Sequence, residues 1–154
     1  MDEFSIQPVK YSRIVIILPD MGGGGAERLH VNLANDWVEK KLKVEFVLLR
    51  GKGDLISLLA PDIKVKILNV VRIRDSVIPL ASYLRQIRPD VVISAMWPLT
   101  SAVVFSWLLS GQVGKLILSE HENLSQSYIS QRRAKAGYVK NLIRYTYPLA
   151  SGIV

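Results

Sequence analysis

The sequence predicts an α/β fold in which a mostly parallel β-sheet lies between two layers of helices. Short runs of Val, Ile and Leu alternate along the chain with longer segments whose apolar residues recur every three or four positions. The short runs are apolar throughout, which is typical of strands that are buried on both faces of a sheet. Since strands that alternate with helices form right-handed crossovers, the strands are expected to lie parallel. Together these patterns predict a three-layer αβα sandwich of the Rossmann-like type.

The elements are assigned in chain order. The first strand is predicted at 13–18, because the segment RIVIIL is short and rich in β-branched residues. A glycine-rich turn follows, and the segment 26–40 is predicted to be an amphipathic helix with Leu29, Leu33 and Trp37 on one face. The same two patterns predict strands at 43–50, 64–70, 91–95 and 115–120, a short helical turn at 55–60, and helices at 76–88, 99–110 and about 126–147. Residues 150–154 have the pattern of a turn that enters a sixth strand. We therefore expect the chain to be the first part of a longer protein, the alternative being a short edge strand at a true terminus.

One long uncharged stretch, 91–114, has the length of a membrane span. It contains several Ser and Thr residues, and Pro98 interrupts it, because proline disfavours helix at the residue before it. A buried strand followed by a buried helix explains the stretch better than a transmembrane helix.

The composition excludes several kinds of protein. The chain has 154 residues, of which 49% are hydrophobic and 21% charged, as in an ordinary single globular domain. It has no cysteine, which excludes disulfides, thiolate metal sites and a cysteine nucleophile. With His30 and His121 as its only imidazoles, we expect no metal site. The polar segment 1–12 is predicted to be flexible and shows no signal-peptide pattern, and 13–154 is predicted to be the domain.

The glycine-rich turn after the first strand is the clearest candidate for a binding loop. Ligands of parallel sheets bind beyond the carboxyl ends of the strands. Four consecutive glycines, Gly22, Gly23, Gly24 and Gly25, allow backbone N–H groups to approach a ligand closely, and Glu27 opens the following helix. The start of that helix offers unpaired N–H donors, which suit a phosphate or another anion. A plain strand-to-helix turn would need only one or two glycines.

Two nucleotide-binding motifs are absent or incomplete. The dinucleotide fingerprint requires a third glycine where this chain has Glu27, and an acid where the second strand ends in Arg50. NAD is therefore disfavoured, and Arg50 leaves only a weak case for an NADP-linked reductase. No P-loop motif for nucleoside triphosphates is present.

Two further loops follow the fourth and fifth strands. Trp97 can stack on a sugar or an acyl chain, or close the end of the sheet as a core residue. After the fifth strand, Glu120, His121 and Asn123 lie in the segment SEHEN, where adjacent ionisable groups indicate a site. His121 can donate a hydrogen bond or carry a proton near neutral pH, whereas Glu120 and Glu122 can instead pair with nearby bases. By contrast, His30 is expected to be an ordinary surface or helix-packing residue, and Trp37 and Trp107 core residues.

The segments GGGGAER, SEHEN and YPLASGIV together resemble the amino-terminal half of family-4 glycosyltransferases. Those are retaining enzymes with two Rossmann-like domains, the GT-B fold, and the resemblance covers 13–154. It implies that the glycines lie against the donor's diphosphate or against the acceptor, that His121 contacts the donor sugar and organises the reaction centre, and that Trp97 lines the acceptor side. The family's nucleotide-binding basic pair and carboxylate motif belong to a second domain, so this chain alone is expected to be inactive.

The resemblance implies transfer of a hexosyl group from a nucleotide-diphosphate sugar to a saccharide or lipid-linked acceptor in the cytoplasm, with no cofactor and no nucleic acid. The alternative is a stand-alone nucleotide- or phosphate-binding Rossmann-like module without catalysis. The segment 123–154 carries five bases and no acid, so the tyrosine-bearing stretch 128–147 is either a solvated helix face or a contact to the anionic inner surface of the cell membrane.

Overall fold

The structure, a computed structural model, describes residues 13–120 and 136–154. Within them lie six strands: β1 Arg13–Leu18, β2 Lys43–Leu48, β3 Lys64–Ile67, β4 Val91–Ala95, β5 Lys115–Ser119 and β6 Gly152–Ile153. Four α-helices accompany them: α1 Gly25–Glu39, α2 Val77–Ile87, α3 Leu99–Leu109 and α4 Ala136–Thr146. Short 3-10 turns occupy Asp54–Leu58, Ile73–Ser76 and Tyr147–Leu149.

The strands form one sheet in the order β3-β2-β1-β4-β5-β6, and every neighbouring pair is parallel. This order reverses direction between β1 and β4, which is the point where Rossmann-like sheets open a crevice for ligands. The predicted α/β class and parallel sheet are confirmed. The sixth strand predicted near the end of the chain is present as β6, which pairs with β5.

Successive side chains of each strand point to opposite faces of the sheet and pack into two separate apolar cores. The sheet and the helices on its two faces form the predicted three layers. On one face, Ile14, Ile16 and Phe46 pack against α1. On the other face, Val15 and Val47 pack with residues of α2, α3 and the end of α4. The sheet is therefore buried on both sides, as its continuous apolar runs require.

Helix α1 uses a different face from the one that its leucines predict. Leu29 is 44% exposed, whereas Val31 and Ala34 are buried against the sheet. The spacing 26, 30, 34, 38 is as regular as 29, 33, 37, so periodicity alone does not choose between them. The structure selects the face with Ala26 and Ala34, whose small side chains allow the helix to lie close to the strands.

The uncharged stretch 91–114 contains β4 and the 11-residue helix α3, as predicted. No helix among the described residues is long and apolar enough to cross a membrane. Two of the three tryptophans also fit their predictions, since Trp37 packs at the edge of the α1 core and Trp107 of α3 is buried in the core on the other face of the sheet.

On the α2 side of the sheet, one of the buried side chains of β2 is a carboxylate. Glu45 of β2 is 6% exposed, and it accepts a hydrogen bond from the Tyr83 hydroxyl of α2. Its second oxygen lies 3.3 Å from the Arg13 guanidinium, which also donates to the Ile87 carbonyl at 3.0 Å. The strand end and the helix end are thus joined through one acidic side chain.

Candidate functional site

Three loops meet at the carboxyl edge of the sheet, because they follow β1, β4 and β5, which are neighbours in the strand order. They contain the glycine run, Trp97 and Glu120, so the structure brings these sequence candidates to one edge. His121 and Asn123 lie outside the described residues, as do the segment 1–12 and the first part of the basic stretch. Their predicted roles stay predictions.

The glycine run is exposed and is anchored at its first member. The carboxylate of Asp20 accepts a hydrogen bond from the N–H of Gly22 at 3.2 Å and forms an ion pair with Arg50 at 2.9 Å. Gly23 has φ +103°, a conformation that side chains rarely adopt. Arg50, the only support for an NADP-linked reductase, is therefore occupied by Asp20 in this structure.

A second glycine turn, missed as a site element from the sequence, supports the first. The N–H of Met21 donates to the Lys52 carbonyl at 2.9 Å. Gly53 has φ +118°, and a Cβ there would collide with the backbone of Met21 and Gly22. The glycine at 53 is thus required by close approach of two backbones, and the turn 51–53 holds the glycine loop in place.

Helix α1 begins without a capping side chain. Gly24 is its N-cap, and the N–H of Arg28 donates to the Gly24 carbonyl at 3.1 Å as the first helical bond. The preceding N–H groups have no partner inside the helix, and they carry the positive end of the helix dipole. Glu27 occupies the third helical position and is only 9% exposed, with its carboxylate directed at Gly24.

The loop after β4 is bent by Met96, which has φ +68°, and the Trp97–Pro98 peptide bond is cis. The N–H of Met96 donates to the Ser119 carbonyl at 3.4 Å, which ties this loop to the end of β5. Trp97 is half-buried, so its burial does not distinguish a residue that stacks on a ligand from a core residue. Stacking on a ligand therefore stays a prediction.

Glu120 lies in a cluster of hydroxyl groups. Its carboxylate accepts a hydrogen bond from Thr100 at 2.9 Å and another from the Tyr147 hydroxyl, and the two hydroxyl oxygens lie 3.0 Å apart. Burial raises the pKa of Tyr147, and the hydrogen bond to Glu120 raises it further. The alternative prediction was that Glu120 pairs with a nearby base. Among the described residues, Glu120 forms no ion pair, and its partners are hydroxyl groups.

The Glu120 cluster was not predictable from sequence spacing. Tyr147 follows Glu120 by 27 positions and belongs to the segment predicted as a basic helix.

His30 is buried in α1, where its Nδ1 lies 2.7 Å from the Ala26 carbonyl oxygen, which confirms helix packing rather than a surface position. No group of three potential metal ligands converges within residues 13–120 and 136–154.

No protein-family model and no curated protein sequence matches the chain. Among solved structures, it is similar to the apo form of the lipopolysaccharide outer core galactosyltransferase WaaB, with a TM-score of 0.61 and 20% identity. The match covers 75% of this chain and 35% of that chain, so it spans about a third of the neighbour's length. The likeness shows a shared Rossmann-like fold over that part of the neighbour.

Proposed function

We propose that the chain is the acceptor-side domain of a retaining glycosyltransferase that transfers a hexosyl group from a nucleotide-diphosphate sugar to a saccharide or lipid-linked acceptor. The observation that carries the proposal is the shared fold with a galactosyltransferase, combined with a binding edge at the β1–β4 reversal. A fold alone does not fix an activity, which depends on the side chains and backbone groups of the loops at that edge.

The loops suit sugar transfer in their chemistry. Such a reaction needs groups that bind hydroxyls, stabilise a leaving diphosphate and stabilise an oxocarbenium-like centre. Helix α1 presents open N–H donors, and the exposed glycines let a ligand approach the backbone. In the proposal His121 contacts the donor sugar, Trp97 lines the acceptor side, Glu120 and Asn123 bind the donor or the acceptor, and a second domain supplies the nucleotide-binding groups.

The test uses the protein expressed from its complete gene. It is incubated with nucleotide-diphosphate hexoses that differ in base and sugar, and release of nucleoside diphosphate is measured with and without saccharide acceptors. We expect release with at least one donor, and a decrease of about 10²-fold or more in His121→Ala, because loss of one preorganised hydrogen-bond donor at a reaction centre costs about that much. An unchanged melting temperature in His121→Ala shows that the fold is intact.

Two results would remove parts of the proposal. Normal turnover in His121→Ala excludes the histidine from the site. A gene that ends at Val154, with nucleotide binding but no transfer, favours the stand-alone binding module.

We further propose that the basic segment contacts anionic lipid, which would bring the domain to a lipid-linked acceptor. Arg144 is exposed in α4 and Tyr145 beside it is 69% exposed, an arrangement that suits a headgroup surface. Tyr147, by contrast, is buried and belongs to the Glu120 cluster. Replacing Arg132, Arg133 and Lys135 with Gln should abolish cosedimentation with phosphatidylglycerol vesicles, and unchanged cosedimentation contradicts the proposal.

A further inference from the structure

The Glu120 cluster uses only one of the two oxygens of its carboxylate. The hydroxyls of Thr100 and Tyr147 both donate to Oε1 of Glu120, and each hydroxyl has a single proton to give. Among the described residues no group donates to the other oxygen, Oε2, and this atom is not closed off from solvent. One carboxylate oxygen is therefore held inside the protein, and the other is open to a ligand.

The direction of this carboxylate is fixed by its surroundings. Thr100, in the first turn of α3, is fully buried, and Tyr147 is 8% exposed. The main chain of Glu120 is held as well, because its N–H donates to the Val154 carbonyl at 2.9 Å. Burial raises the pKa of Tyr147, so its hydroxyl keeps the proton that it donates. The cluster thus orients the Glu120 side chain before any ligand binds.

The open oxygen belongs to the edge at which parallel sheets bind their ligands. Glu120 directly follows β5, one of the strands whose carboxyl ends form that edge. The loop that contains Trp97 is tied to the preceding residue by the hydrogen bond from the Met96 N–H to the Ser119 carbonyl. Neighbouring loops therefore carry an aromatic ring, whose apolar face can stack on a sugar, and a carboxylate that accepts hydrogen bonds from hydroxyls.

The charge of Glu120 selects the kind of group that can bind it. Among the described residues no base pairs with this carboxylate, so its negative charge is not neutralised. A diphosphate has acceptor oxygens and negative charge of its own, and the carboxylate would repel it. A sugar hydroxyl is neutral and donates a proton, and a hydrogen bond to a charged acceptor is stronger than one to a neutral acceptor.

We infer that Glu120 binds a hydroxyl of the saccharide through Oε2, and that Tyr147 and Thr100 are positioning residues that hold its carboxylate in the binding direction. The inference rests on the proposed function for the identity of the ligand. It assigns the diphosphate to another part of the edge, and it gives two buried hydroxyls a role in substrate binding besides their role in stability.

The test measures binding to the protein expressed from its complete gene, with D-glucose, D-galactose and inorganic pyrophosphate as separate probes. Hexose binding is followed by saturation-transfer NMR and pyrophosphate binding by calorimetry. We expect at least one hexose to bind, and its affinity to fall about tenfold in Glu120→Gln, because a charged acceptor is replaced by a neutral one. Pyrophosphate affinity should not fall in this variant, since a repelling charge is removed.

Tyr147→Phe and Thr100→Val should each lower the hexose affinity about threefold, because the carboxylate loses one of the two bonds that orient it. A double-mutant cycle shows whether Tyr147 acts through Glu120. When Glu120→Ala is already present, Tyr147→Phe should have no further effect on hexose affinity, since the side chain that it positions is absent.

Tyr83→Phe is the matched control, because it also removes a tyrosine hydroxyl from a carboxylate, that of Glu45 within β2. It should lower the melting temperature and leave hexose affinity unchanged, which separates a positioning role from a loss of stability. Equal losses of hexose affinity in Tyr147→Phe and Tyr83→Phe overturn the inference. So does a further loss on adding Tyr147→Phe to Glu120→Ala, a lower pyrophosphate affinity in Glu120→Gln, or binding of neither hexose.

The outcomes also separate this inference from the proposed function. Sugar transfer by a protein whose hexose affinity does not depend on Glu120 would retain the function and remove the role of the cluster. Hexose binding that depends on Glu120 and Tyr147, without any transfer, would do the reverse.

Discussion

Replacing Gly53 with Ala tests whether the glycine loop depends on the turn beneath it. Gly53 has φ +118° and ψ 144°, a region that is essentially restricted to glycine, so an alanine there should cost about 1–3 kcal/mol in backbone strain. The new Cβ would also overlap the carbonyl group of Met21, and backbone atoms cannot rotate away as a side chain can. This overlap should add about 1–3 kcal/mol.

The matched control is Gly111→Ala. Gly111 has φ +89°, but no heavy atom lies within 4 Å of its Cβ position, so only the strain remains, at about 1–2 kcal/mol. Urea unfolding followed by circular dichroism gives both free energies of unfolding. At a slope of about 2 kcal/mol/M, we expect a midpoint for Gly53→Ala that is lower than the control's by roughly 1 M. A loss no larger than that of Gly111→Ala would show that the close approach of the two turns does not hold the loop.

Three further predictions test the Glu120 cluster and the packing of α1. Tyr147→Phe removes a hydroxyl from the Glu120 cluster and should cost about 1–3 kcal/mol in urea unfolding, whereas Phe at an exposed tyrosine, Tyr145→Phe, should cost almost nothing. Because the pKa of Tyr147 is raised in the folded state, its contribution to stability is complete below the unfolded pKa of about 10 and is lost as the pH rises above that value. The unmodified chain should therefore lose stability between pH 10 and 11 faster than Tyr147→Phe does. Parallel curves of stability against pH would contradict this role of the Tyr147 hydroxyl. Val31→Ala should lower the free energy of unfolding by about 2 kcal/mol and Leu29→Ala by less than about 0.5 kcal/mol, and the opposite ranking would show that α1 packs through its leucines after all.

Much of the fold was predictable, because local periodicity and strand composition agree throughout the chain. The bounds of β1 and β4 match the predicted 13–18 and 91–95. The third strand is shorter than predicted, since Asn69 adopts φ +55° and turns the backbone after Ile67. A left-handed Asn is a local feature that an apolar pattern such as KVKILNV does not reveal.

The edge that carries the candidate site was also predictable, because parallel strands place their following loops on one side. The partners within that edge were not. Glu120 binds the hydroxyl of Tyr147, and Gly53 supports Met21, through contacts between segments far apart in the chain. No spacing in the sequence encodes such a contact, whereas Glu27 could be placed at the helix start from the sequence alone.

The acidic residue in the middle of β2 has a consequence for how the sheet assembles. Glu45 faces the α2 layer, where Arg13 and Tyr83 donate hydrogen bonds to its carboxylate. Its neighbours Val44 and Phe46 face α1. If β2 slipped by one residue against β1, every side chain would change faces, and Glu45 would enter the apolar layer under α1 without a partner. The misaligned sheet would carry an uncompensated buried charge, so one carboxylate distinguishes the correct alignment from its nearest competitor during folding.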